Sequence, residues 1–287
     1  MPTEAITTKR SRGELYWLLA ITLAGVVVYA PTFRFFWEKW IADVQYSLAF
    51  LVPFVCGYFT WKKWPEVRLL ERAPTAWGLV LMIFALMLHL AGLVLDISGP
   101  SGISLILCII GGCLYFHGKA LVRTLAFPLA YTLFMVPVPN GVLDAVGFPL
   151  QMWASGSTAA MLNLVGMDVT RNGVNLSVPG FDFQVAVACA GMSSLVALVG
   201  VTAVFAYITR LPAALKWLVF FLAIPIALAA NVVRITTIAL SGYWFGPKIA
   251  MRIFHEWSSP ILFLAAILLL FAINGVLEWL CRGRTTC

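Results

Sequence analysis

The chain has 287 residues, 62% of them hydrophobic and only 11% charged, with a mean hydropathy of +0.95. That composition excludes a soluble globular protein and predicts an all-α polytopic membrane protein, a single integral membrane domain over residues 1–287. The net charge of +7 comes from basic residues dispersed in short loops between apolar runs, which fits membrane topology and not a nucleic-acid surface.

The N-terminal stretch carries Lys9, Arg10 and Arg12 ahead of a long apolar run with no small-residue cleavage site, so a retained first helix is expected rather than a signal peptide. Apolar runs of spanning length lie near residues 15–33, 44–61, 76–95, 102–116, 120–136, 190–207, 213–240 and 260–280, predicting about eight transmembrane helices. With the N-terminus inside, thirteen Lys and Arg fall on the cytoplasmic side. Five, Arg34, Lys39, Arg171, Lys248 and Arg252, fall outside, and Arg234 stays within a span. This asymmetry predicts both termini in the cytoplasm.

The longest extramembrane segment is 137–187, expected on the extracytoplasmic side. Its first part is apolar yet rich in Gly, Ser and Ala, which suggests an interfacial or re-entrant helix. In VTRNGVNLSVP, Asn172-Gly173 separates two short alternating stretches with Val174, Leu176 and Val178 on one face, a hairpin signal. One reading makes the hairpin a structural cap. The other makes it a strand edge for an extended peptide, with Arg171, Val174 and Leu176 as substrate-binding candidates.

Apolar alternation at Phe181, Phe183, Val185 and Val187 then gives way to a continuous apolar run from Ala190 to Tyr207. Cys189 stands at this strand-to-helix junction. A helix N-terminus favours thiolate over thiol, so this cysteine is the nucleophile candidate. Cys56, Cys108 and Cys113 sit inside apolar runs as small buried hydrophobes, Cys281 and Cys287 lie in the basic tail, and the six together form no metal spacing.

An ionisable residue inside a span needs a reason. Arg234 is eighteen residues beyond Lys216, about 27 Å as a helix, near the outer edge of the hydrocarbon layer. Asn231, three positions earlier, shares its face. Snorkelling to outer headgroups is the bland alternative. His255 precedes the last helix, twenty-three residues or about 34 Å from Glu278 at the inner end, so it reaches the same outer level. The sequence HEWSS lacks the second histidine of a zinc-protease helix, and neither a metal nor a cofactor is expected. His89, mid-span, and His117, on the cytoplasmic side, read as structural. Cys, Arg and His at one level suit acyl transfer: a thiolate attacks a peptide carbonyl, a cation stabilises thiolate or oxyanion, and histidine protonates the leaving amine.

ACAGMSSL around Cys189, ANVVRI around Arg234, FHEW around His255 and VPVPN at 136–140 resemble, in order and spacing, the exosortase/archaeosortase family of multipass cysteine transpeptidases. The likeness covers about residues 123–263, an exosortase-like catalytic core. Many members read Cys-Ser-Gly where this chain has Cys189-Ala190-Gly191, and Ser193-Ser194 replace a basic residue often found shortly after. The resemblance implies Cys189 as nucleophile, Arg234 as cation and His255 as acid/base, with Asn231 and Gly191 in support. It also implies secreted protein substrates with a C-terminal motif such as Pro-Glu-Pro, a transmembrane helix and a basic tail. These would be cut at the outer face of the inner membrane, with a lipid or glycan as a possible acceptor. Two other readings stay open: a serine intramembrane protease using Ser193 or Ser194 with His255, and a transporter or lipid-binding protein in which Arg234 holds an anionic group.

Overall fold

The computed structural model describes residues 12–42, 44–185, 192–250, 252 and 255–282 of the chain, with a few side chains among them excepted. Cys189 and Gly191 lie outside the described residues, as does the side chain of His255.

Among the described residues the fold is helical apart from one small sheet, with turns and loops between the elements. Helices α1 (Arg12–Val28) and α2 (Ala30–Ala42) meet at Tyr29 with a bend of 58°. The bend is stabilised from the side: His89 Nε2 donates to the Val28 carbonyl at 3.0 Å, and its ring packs against Tyr29 with centroids 4.3 Å apart and planes tilted by 35°. A 3-10 turn, Val44–Leu51, leads into α3 (Val52–Arg68). Helices α4 (Trp77–Val94) and α5 (Ser98–Phe116) then form a tight antiparallel pair. Glycines make that approach possible, since a Cβ on Gly78 would collide with the Tyr115 backbone and stand 2.6 Å from the Gly111 carbonyl oxygen. Two short helices, α6 (Lys119–Thr124) and α7 (Ala126–Tyr131), and a 3-10 turn, Thr132–Met135, take the chain to α8 (Asn140–Leu164).

Strands β1 (Thr170–Asn172), β2 (Asn175–Val178) and β3 (Phe181–Gln184) form an antiparallel sheet in that order. Asn172 pairs with Asn175, so the central turn residues are Gly173 and Val174, one position later than the Asn-Gly pair expected from sequence. Gly173 takes φ +63°, the positive value a two-residue hairpin turn requires. The face parity is unchanged, with Leu176 and Val178 both turned inward. They join Ala154 and Leu162 of α8 and Val185 in a core that closes on Ile235 and Ala239 of the next long helix.

The last third is a helix bundle: α9 (Met192–Ile208), α10 (Ala213–Phe245), the single turn α11 (Pro247–Ile249) and α12 (His255–Arg282). Leu198 of α9, Ala223 and Ala227 of α10, and Ala266 and Leu270 of α12 form its dry centre, alanines again letting backbones come close. At the far end, Thr209 Oγ1 lies 2.7 Å from Glu278 Oε1 and Asn274 Nδ2 donates to the same oxygen at 3.2 Å, tying the end of α9 to α12.

Large apolar side chains such as Trp61, Trp77 and Leu269 face outward, as expected of a surface that meets lipid. Among the described residues four helices are long and apolar enough to cross a membrane: Trp77–Val94, Gly99–Phe116, Ala213–Phe245 and Trp257–Cys281. The bent pair α1–α2 makes a fifth if it is one span. The remaining apolar runs are also helical, but 44–61 and 120–136 are broken by 3-10 turns, and α9 is 17 residues long. The protein is therefore a helical membrane protein, with four or five spans by length and composition against the eight that hydropathy alone suggests.

Candidate active site

Where α9, α10 and α12 meet, the bundle's dry centre ends in a small cavity. Ser194 and Leu198 line it from α9, Ala227, Asn231 and Arg234 from α10, and Ser259 and Leu262 from α12. Positions 227, 231 and 234 are spaced by four and three, so one face of α10 supplies all three. On α12 the lining positions 259, 262 and 266 form a stripe whose next member towards the N-terminus is 255. The cavity volume of about 20 Å³ is enough for a single water.

Arg234 is 8% exposed and Asn231 5%. The guanidinium makes one long contact, Nη1 donating to Ser259 Oγ at 3.5 Å. Nε and Nη2 are buried and meet no hydrogen-bond partner among the described residues. A buried cation is costly unless its donors are met, and among the described residues these two are not. Snorkelling does not explain it, since a snorkelling arginine holds its head group in water or among lipid headgroups.

The cap core packs on an adjoining face of α10. Ile235, the residue after Arg234, packs in one cluster with Val185, the last described residue before Cys189. On the other side of that junction, α9 begins at Met192, and Ser194 already lines the Arg234 cavity. His255 opens α12, one turn before Ser259.

The three substrate-binding candidates stand in different surroundings. Arg171 latches β1 to α8: Nε donates to Ser155 Oγ at 3.1 Å and to the Gly173 carbonyl at 2.8 Å, and Nη2 donates to the Met152 carbonyl at 3.0 Å. Val174 is half-buried at the turn. Leu176 is 0% exposed, its side chain wholly within the cap core. Ser259 was not found by sequence reasoning, although its spacing of four from His255 was the available signal. Among the described residues no three His, Cys, Asp or Glu side chains converge as metal ligands would.

A family model described as transmembrane exosortase matches residues 40–272 of the chain. No curated protein and no solved structure matches it.

Proposed function

The chain belongs to the transmembrane exosortase family, and on that premise we propose that it is a cysteine protease and transpeptidase in which Cys189, Arg234 and His255 process the C-terminal sorting signals of secreted proteins. The observation that carries this reading is the buried, under-bonded Arg234 guanidinium at the mouth of the α9–α10–α12 bundle. Chain geometry allows the nucleophile to reach it. Cys189 is four residues from Val185 and three from Met192, so its Cα lies within about 14 Å of one and about 11 Å of the other. Met192 opens α9, which borders the cavity through Ser194, and Val185 packs in one cluster with Ile235, the residue after Arg234.

The reaction follows from these groups. The Cys189 thiolate attacks the scissile carbonyl carbon, and the electron pair moves to oxygen, where Arg234 stabilises the charge. The intermediate collapses as His255 gives its proton to the leaving amine, leaving a thioester on Cys189. Water or an acceptor hydroxyl or amine, deprotonated by His255, attacks the thioester and restores the thiolate. Asn231 supports Arg234 from one turn away, and Gly191 keeps the backbone beside the nucleophile free of a side chain. In this account Arg171 and Val174 border the substrate path, while Leu176 contributes by holding the hairpin in its core.

The orientation assigned from charge, with both termini cytoplasmic and 137–187 outside, puts this chemistry at the outer face of the inner membrane. The substrate class is that implied by the family: a short motif such as Pro-Glu-Pro, a transmembrane helix and a basic tail. Eight passes accommodate the broken runs at 44–61 and 120–136 and the short α9 as spans.

A second reading has a specific observation behind it, since Ser194 is among the residues lining the Arg234 cavity. A serine route and a cysteine route therefore predict different covalent adducts. Mass spectrometry of the enzyme quenched in acid during processing of a co-expressed, signal-bearing substrate distinguishes them. A thioester-linked peptide on Cys189 is expected; an ester on Ser194 with Cys189 unmodified would overturn the assignment.

A further inference from the structure

A second cavity, beside the first turns of α10 and so towards the other end of that helix from Arg234, lies between α7 with its following 3-10 turn and the α9–α10 corner. It has a volume of about 430 Å³, within the range of sites that take up small molecules. Ala203 and Ala206 of α9 leave the space, and Phe127, Phe134 and Phe220 wall it. The Phe127 and Tyr207 rings, stacked 3.9 Å apart at 5°, hold the two sides together. Such a mainly apolar lining suits a hydrocarbon chain.

The rim is different. Lys216, half-buried on the first turns of α10, also lines this cavity. Its Nζ makes one long contact, to the Tyr207 carbonyl at 3.5 Å, and no carboxylate lies within ion-pair distance among the described residues. Arg210 is exposed on the same corner, in the short connection between α9 and α10. Trp217, 60% exposed beside Lys216, is the side chain that membrane interfaces favour at headgroup level. An apolar cleft lined at its rim by a lysine that has no ion-pair partner among the described residues matches a lipid with a hydrocarbon tail and a negative head.

We propose that this cleft is a binding site for an anionic glycerophospholipid, one acyl chain lying against Ala203 and Ala206 and the phosphate held by Lys216. In the orientation proposed above, the lipid comes from the cytoplasmic leaflet. The occupied cleft would brace α7 against α9, the helix that follows Cys189. Binding itself needs no catalysis, so its failure and the failure of the protease reading are separate results.

The test uses the full-length protein in mild detergent, offered phosphatidylglycerol and phosphatidylcholine with identical acyl chains at equal concentration, with bound lipid counted by native mass spectrometry. A preference of about fivefold for phosphatidylglycerol is expected from one headgroup cation near the surface. Lys216→Ala should erase the preference and Lys216→Arg should keep it, the arginine variant also reporting that the fold tolerates change there. Ala206→Leu, which fills the cleft, should lower retention of both lipids. Equal retention by the unaltered protein, or a preference that survives Lys216→Ala, would overturn the proposal. So would retention of lipid unchanged by Ala206→Leu.

Discussion

At the residue scale the arrangement turns on Arg234. A buried charge with two unpartnered donors among the described residues lowers stability, and replacing it with an apolar side chain of similar bulk is often neutral or stabilising. Arg234→Leu should therefore leave the thermal unfolding midpoint unchanged or raise it, while lowering the processing rate by about 10² or more, the usual effect of removing an oxyanion donor. A variant that loses stability and activity together would mark Arg234 as a structural residue. The sequence already singled it out, because an ionised group in an apolar run is visible by composition alone. It could not reveal Ser259 as the partner of the guanidinium. That contact depends on how α12 is rotated against α10, which is set by the alanine and leucine packing beneath the cavity.

At the element scale the cap sheet and α8 form the unit that carries the chain up to Cys189. Arg171 fixes the unit by donating to Ser155, to Gly173 and to the Met152 carbonyl. Arg171→Ala should loosen the hairpin by about 1 kcal/mol, since the arginine is exposed and part of each bond is recovered from water. Faster hydrogen exchange at the amides of 175–178 would report it; unchanged exchange would show that the cap core alone holds the strands. Sequence alternation foresaw the hairpin and the third strand, because a period of two is a local property. It could not say whether the inward face meets substrate or protein, and Leu176 shows the answer lies in tertiary packing. The α4–α5 pair gives a sharper case. Gly78→Leu forces a side chain into the Tyr115 and Gly111 backbones and should cost about 1–3 kcal/mol, read as a lowered unfolding temperature.

At the scale of the whole molecule, orientation decides on which side the chemistry occurs. Hydropathy counts eight apolar runs where four or five described helices meet the length and composition of a span, because it sums apolar character without seeing breaks such as the 58° bend at Tyr29 or the 3-10 turn before α3. Charge asymmetry is insensitive to those breaks and gives a direct prediction. With native cysteines replaced, a cysteine at the exposed Asn172 should react with a membrane-impermeant maleimide in spheroplasts, whereas one at the exposed Arg72 should react only after lysis. The reverse pattern would put the cavity on the cytoplasmic side and remove secreted proteins as substrates.

The central claim is that Cys189 forms the covalent bond to the substrate. It is tested most directly by the rate at which Cys189→Ala, present in the membrane at the level of the unaltered protein, processes a tagged secreted substrate bearing the C-terminal signal. No processed product is the predicted result; processing at the unaltered rate would contradict the account.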